Sequence, residues 1–155
     1  MVKRMNPYKT VNESYLESVN PSPIAPSTAQ RRQIVSQQPN TKPSIVYDID
    51  SLETFEKILK DFPIVVVDVW AAYCNPCKML MPKYEMIARK FEGHFRDKHI
   101  IFLKDNIEMN VNIHKPLVTV VPTFFMYVNG KRYHISDFRE MEVTIQSALN
   151  DVFDS

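Results

Sequence analysis

Two cysteines, Cys74 and Cys77, stand three positions apart in Cys74-Asn75-Pro76-Cys77, between an aliphatic run and an amphipathic pattern. That arrangement constrains the fold more than anything else in the chain. The run before it, Ile64-Val65-Val66-Val67-Asp68-Val69-Trp70, reads as a buried strand. In the stretch after it, Leu80, Tyr84, Ile87, Ala88 and Phe91 share one helical face, and Lys83, Glu85, Arg89 and Lys90 share the other. The cysteines therefore sit where a strand ends and a helix begins. Unpaired backbone N–H groups and the helix dipole favour negative charge at such a point, and the thiolate is the reactive form of cysteine. Cys74, ahead of the first turn, is expected to be exposed, and Cys77, inside it, to be covered. Pro76 suits the first turn, where its missing N–H costs little. Two thiols at this spacing can bond to each other. The chemistry they suggest is disulfide exchange, with Cys74 attacking and Cys77 resolving.

At 155 residues the chain has room for one domain with its own core. Its net charge of +1 points neither to nucleic acid nor to an anionic membrane as partner. Two cysteines so close together suit a reversible bond better than a structural staple. The N-terminal Lys3 and Arg4 are followed by no apolar segment of a secretion signal, and no aliphatic run is long enough to span a bilayer. A cytoplasmic, soluble, monomeric protein is expected. Residues 1–43 hold six of the eleven prolines and a net charge of +4, against −3 for the remainder, with Ser, Gln, Asn and Thr between. They read as a flexible tail, and residues 44–155 as the folded domain.

Within that domain, Ser44 to Asp48 reads as a strand. Asp50 or Ser51 caps a helix whose inner face is Leu52, Phe55, Leu59 and Phe62. The helix after the cysteines is expected to run to Gly93 as its C-cap and to kink at Pro82. His99 to Leu103 and Pro122 to Val128 read as strands, and 108–116 as a weak helix. Asn129-Gly130 marks a hairpin into Lys131 to Ile135, and Met141, Ile145, Ala148, Leu149 and Val152 mark a closing helix. The order β-α-β-α-β-(α)-β-β-α implies an α/β fold: a central mixed sheet flanked by helices, parallel first and ending in an antiparallel hairpin.

The chain resembles the thioredoxin family. The resemblance is carried by Val67-Asp68-Val69-Trp70-Ala71, Cys74-Asn75-Pro76-Cys77-Lys78, Pro82, Lys104, Val121-Pro122-Thr123 and Asn129-Gly130, in family order from Ser44 onward. It implies a thioredoxin fold and a protein disulfide reductase. No bound cofactor is implied beyond a redox-active Cys74–Cys77 disulfide; the implied partners are protein disulfides and an NADPH-dependent thioredoxin reductase-like donor. Asp68 would be a buried proton relay behind Cys77, and Lys104 would tune it. Pro122 would be a cis proline that presents the Val121 backbone to substrate. Trp70, Tyr73, Asn75 and Pro76 would complete the substrate surface. The chain departs from the family at Asn75, where glycine is usual, at Val120, where a small residue is common, and at Ser136-Asp137-Phe138, where the family has a glycine. These departures suggest a narrower, more selective groove.

Other readings of the same residues are a disulfide donor or isomerase of the same fold, and an accessory module that docks through its tail or its Val121-Pro122 groove. Cys74, Cys77, His94 and His99 also match a zinc-finger spacing, but a long helix between them would hold the pairs apart. Lys78 excludes the haem-attachment motif. The four histidines read as surface residues, and Met79, Met81 and Met86 as packing and helix surface.

Overall fold

A computed structural model of the chain describes residues 42–154. The tail reading, residues 1–43, lies outside the described residues except for Lys42 and Pro43. Strand β1 is Val46–Asp48, helix α1 Leu52–Asp61, β2 Ile64–Trp70, α2 Asn75–Lys90 and α3 Glu92–Arg96. Then come β3 Ile100–Asn106, a 3-10 turn Lys115–Leu117, β4 Thr123–Val128, β5 Lys131–Ile135, a second 3-10 turn Phe138–Glu140 and α4 Met141–Phe153.

The sheet order is β1-β3-β2-β4-β5. The first three strands are parallel, and β4 and β5 are antiparallel additions. β2 is central and paired on both sides, which is why all of its residues but Trp70 are buried and why it reads as a continuous apolar run rather than an alternating one. Asn129 and Gly130 both take positive φ, 50° and 84°, as a two-residue hairpin turn requires.

Strand alternation sorts the core into two layers. Ile64, Val66, Ile100, Phe102, Phe124 and Met126 face Tyr84 and Ala88 of α2 and Ile145 and Leu149 of α4. On the opposite face Phe55 of α1 meets the edge of the Tyr127 ring, and Phe62 stacks on Phe95 of α3. The Tyr84 hydroxyl donates to the Leu103 carbonyl at 2.7 Å and lies 3.2 Å from that of Val66, so its one polar atom is satisfied inside the core.

Several local expectations are corrected. Ser51, not Asp50, caps α1; its hydroxyl accepts from the Thr54 N–H at 3.0 Å. Leu52, in the first turn of α1, is 55% exposed, and Ile58, three residues after Phe55 on the same helical face, takes its place on the inner face. Gly93 is not a C-cap. Phe91 ends α2 because its ring turns into the core against Phe102, and the chain starts a new turn through Gly93. The left-handed residue is Lys98, φ 60°, after α3. The helix expected over 108–116 is reduced to the turn at Lys115–Leu117. Pro82 lies inside α2, as expected.

Candidate active site

The site lies where β2 gives way to α2. The Cys74 N–H donates to the Ala71 carbonyl, and Cys74 itself is the N-cap of α2. Its sulfur accepts the Cys77 N–H at 3.2 Å, where a capping hydroxyl or carboxylate would ordinarily sit. Pro76 occupies the first turn, as its fixed φ favours. The two cysteines are joined in a disulfide, with Cα atoms 5.3 Å apart. Cys77 is fully buried, and Cys74 keeps 7% of its surface. The expectation of an exposed Cys74 is thus corrected in degree: it is the more accessible sulfur, but Ala71, Trp70, Ile107 and Val121 crowd the pair.

The Val121-Pro122 peptide is cis and faces the disulfide. Cys74 Sγ lies 3.7 Å from the Val121 carbonyl oxygen. The Thr123 hydroxyl donates to the Val120 carbonyl at 2.6 Å and holds this turn against the start of β4. Outside it the surface is apolar: Tyr73 is 69% exposed and Val120 66%. Asn75 and Pro76 are also exposed. Ahead of the cysteines, the Ala72 N–H donates to the Glu108 carboxylate, a contact the sequence reading did not contain.

Asp68 sits beneath, on the α2 face of β2, opposite Lys104 across the parallel pair and Phe124 across the antiparallel one. It is fully buried, and neither carboxylate oxygen has a hydrogen-bond partner among the described residues. Burial pushes its pKa from 3.8 up to about 7, and the Lys104 ammonium holds it from rising further. Lys104 lies 5.8 Å from the centre of the Trp70 ring and 3.8 Å from Asp48. Trp70 packs beside the cysteines with its indole N–H buried and unpartnered among the described residues. Trp70 and Val121 thus pack against the cysteines, Asp68 and Lys104 face each other on the adjacent strands β2 and β3, and Tyr73, Asn75 and Pro76 are exposed on either side of Cys74.

The histidines are not all surface residues. His114 is fully buried against Asp105 and Tyr127. His94 and His99 are half-buried, with Nδ1 atoms 3.3 Å apart. His134 alone is exposed. The zinc set is not assembled, since both sulfurs are spent on each other and the histidines lie beyond the far end of the 16-residue α2. Among the described residues no group of three or more metal-binding side chains comes together, and no helix is long and apolar enough to cross a membrane.

The bond joins residues three apart at the start of one helix, and the outer of the two keeps some of its surface. It ties no distant parts together; it is placed to be made and broken, as in an oxidoreductase with a redox-active disulfide. Comparison with known proteins gives the same class a name. The family model described as Thioredoxin matches residues 47–151, and the chain belongs to the thioredoxin family. It is 36% identical over 84 residues to the thioredoxin of Rickettsia felis, covering 54% of this chain and 74% of that one. With the thioredoxin of Coprinus comatus it shares 27% over 89 residues, 57% of this chain and 80% of the other. The crystal structure of thioredoxin from Trypanosoma brucei brucei superposes with a TM-score of 0.55 at 25% identity, over 76% of this chain and 99% of that chain.

Proposed function

We propose that this protein reduces protein disulfides by dithiol exchange through Cys74 and Cys77. The observation that carries the reading is the asymmetry of the pair. One sulfur caps a helix, accepts a backbone N–H and keeps some surface; the other is sealed behind it. In the reduced protein the Cys74 thiolate attacks one sulfur of a substrate disulfide. A Cys74–substrate disulfide forms, and the other substrate sulfur leaves as a thiolate that takes a proton from water. Cys77 then gives its proton to Asp68, a carboxylate whose affinity near pH 7 suits the exchange. The Cys77 thiolate attacks Cys74 Sγ, the second substrate thiolate departs, and two electrons have passed to the substrate. Lys104 tunes Asp68.

The Val121 backbone at the cis turn is where an extended substrate would pair, and Tyr73 and Val120 give it apolar flanks. Trp70, Asn75 and Pro76 complete that surface. Regeneration is assigned to an NADPH-dependent reductase of the thioredoxin-reductase type. The protein is taken to work as a monomer in the cytoplasm, with residues 44–155 as the catalytic unit.

Insulin reduction tests the reading, driven once by dithiothreitol and once by NADPH with thioredoxin reductase. Wild-type protein is expected to turn over in both assays and Cys74→Ser in neither. Activity that survives in Cys74→Ser would refute the mechanism. Activity with dithiothreitol alone would refute only the choice of donor.

A further inference from the structure

The segment from 107 to 122 joins β3 to β4 and carries Val120, Val121 and Pro122 at its end. Its one element of regular structure is the turn Lys115–Leu117, and His114 is the residue that begins that turn. His114 reaches back to both flanking strands. Its N–H donates to Asp105 Oδ2 at 2.9 Å, and its Nδ1 meets the same oxygen at 2.8 Å. Its Nε2 lies 2.8 Å from the Tyr127 hydroxyl. Asp105 is the penultimate residue of β3, and Tyr127 lies in β4. The ring is boxed by Phe55, edge-on at 5.2 Å, and Phe125, stacked at 5.6 Å. Histidine and carboxylate are both fully buried, so each satisfies a polar group that would be costly to leave alone in this apolar layer.

We propose that His114 is a positioning residue for the exchange site. It pins the midpoint of the 107–122 segment to the strands on either side and so sets where Val120, Val121 and Pro122 stand against Cys74. The inference rests on the reading of Val121 and Pro122 as the substrate-facing backbone. It lies on the sheet face opposite Asp68, so it acts on how substrate is held and not on proton transfer at Cys77.

The test uses the full-length protein in three variants. His114→Phe keeps a ring but loses both side-chain contacts. His114→Asn keeps a donor for Asp105, since its amide nitrogen falls near the place of Nδ1. Tyr127→Phe removes the Nε2 partner, and with it the hydroxyl's hydrogen bond with Arg132. For reduction of a protein disulfide, His114→Phe is expected to raise KM about five- to tenfold, the factor that loss of one or two net hydrogen bonds gives. Its kcat, and the rate at which iodoacetamide alkylates reduced Cys74, should stay at the wild-type values. His114→Asn should recover most of the lost KM.

Tyr127→Phe, the mildest change, guards against failure of His114→Phe to fold. It is expected to speed amide hydrogen exchange over residues 115–121 and leave β2 and β3 unchanged. Folded variants with wild-type KM and wild-type exchange would overturn the proposal. So would a fall of kcat and alkylation rate in step with the rise in KM, which would mark a general loss of structure. The exchange measurement needs no substrate. A wild-type protein that reduced no protein disulfide would therefore refute the proposed function while the anchoring stayed measurable.

Discussion

Asp68 should make this protein less stable as pH rises, and Asp68→Asn should remove that dependence. The folded protein binds the Asp68 proton with a pKa of about 7, against 3.8 for an ordinary aspartate. Between those values the folded state holds a proton that the unfolded state has released. The group's favourable contribution is complete below pH 3.8, is lost as pH climbs toward 7, and changes no further above it. A span of about three decades, at about 1.4 kcal/mol each, amounts to roughly 4 kcal/mol. That figure is large because the carboxylate is buried with no hydrogen-bond partner among the described residues and the nearby Lys104 offsets only part of the desolvation. At pH 4 the neutral acid and the amide are nearly equivalent, so wild type and Asp68→Asn should unfold together. At pH 8 the variant should be the more stable by roughly 4 kcal/mol, a shift of about 2 M in urea midpoint for a slope of about 2 kcal/mol per M. The assay is urea denaturation of both oxidised proteins from pH 4 to 8. Every other titrating group is common to the two and cancels in the difference. Parallel profiles across that range would refute the account of Asp68.

Other substitutions probe the surroundings. Lys104→Met removes the charge that holds Asp68 down, so the pH at which stability levels off should move above 7; an unchanged or lower value would show that Lys104 does not act on Asp68. Tyr84→Phe deletes the hydroxyl shared by the Leu103 and Val66 carbonyls and should cost about 1–2 kcal/mol by denaturant unfolding. Ser51→Ala removes the N-cap of α1 and should cost about 1 kcal/mol by the same measurement.

The parts of the fold that were legible in the amino-acid sequence are those governed by local chemistry. An apolar run flanked by a cysteine motif reads as a central strand because only double-sided burial tolerates it, and β2 is paired on both sides. Asn129-Gly130 reads as a hairpin because few other pairs accept two positive φ values. The placement of Cys74 and Cys77 at the start of a helix was legible for the same reason. What sequence reading missed depends on contacts between distant residues. His114 finds Asp105 nine positions back and Tyr127 thirteen ahead, and no periodicity links the three. The one available signal was an aspartate inside a strand, Lys104-Asp105-Asn106, which is polar enough to read as a strand end. Gly93 misled because a glycine after a helix is usually a stop. Here the burial of Phe91 ends the helix first. The accessibility of Cys74 was overstated because the Val121 turn that covers it lies 47 residues away.

Which sulfur meets substrate decides the mechanism. Cys77→Ser protein, reduced and then mixed with a disulfide substrate, should accumulate a covalent adduct, and peptide mass mapping should place the new bond on Cys74. Failure of that variant to form any adduct, or an adduct on the wild-type protein mapped to Cys77, would contradict it.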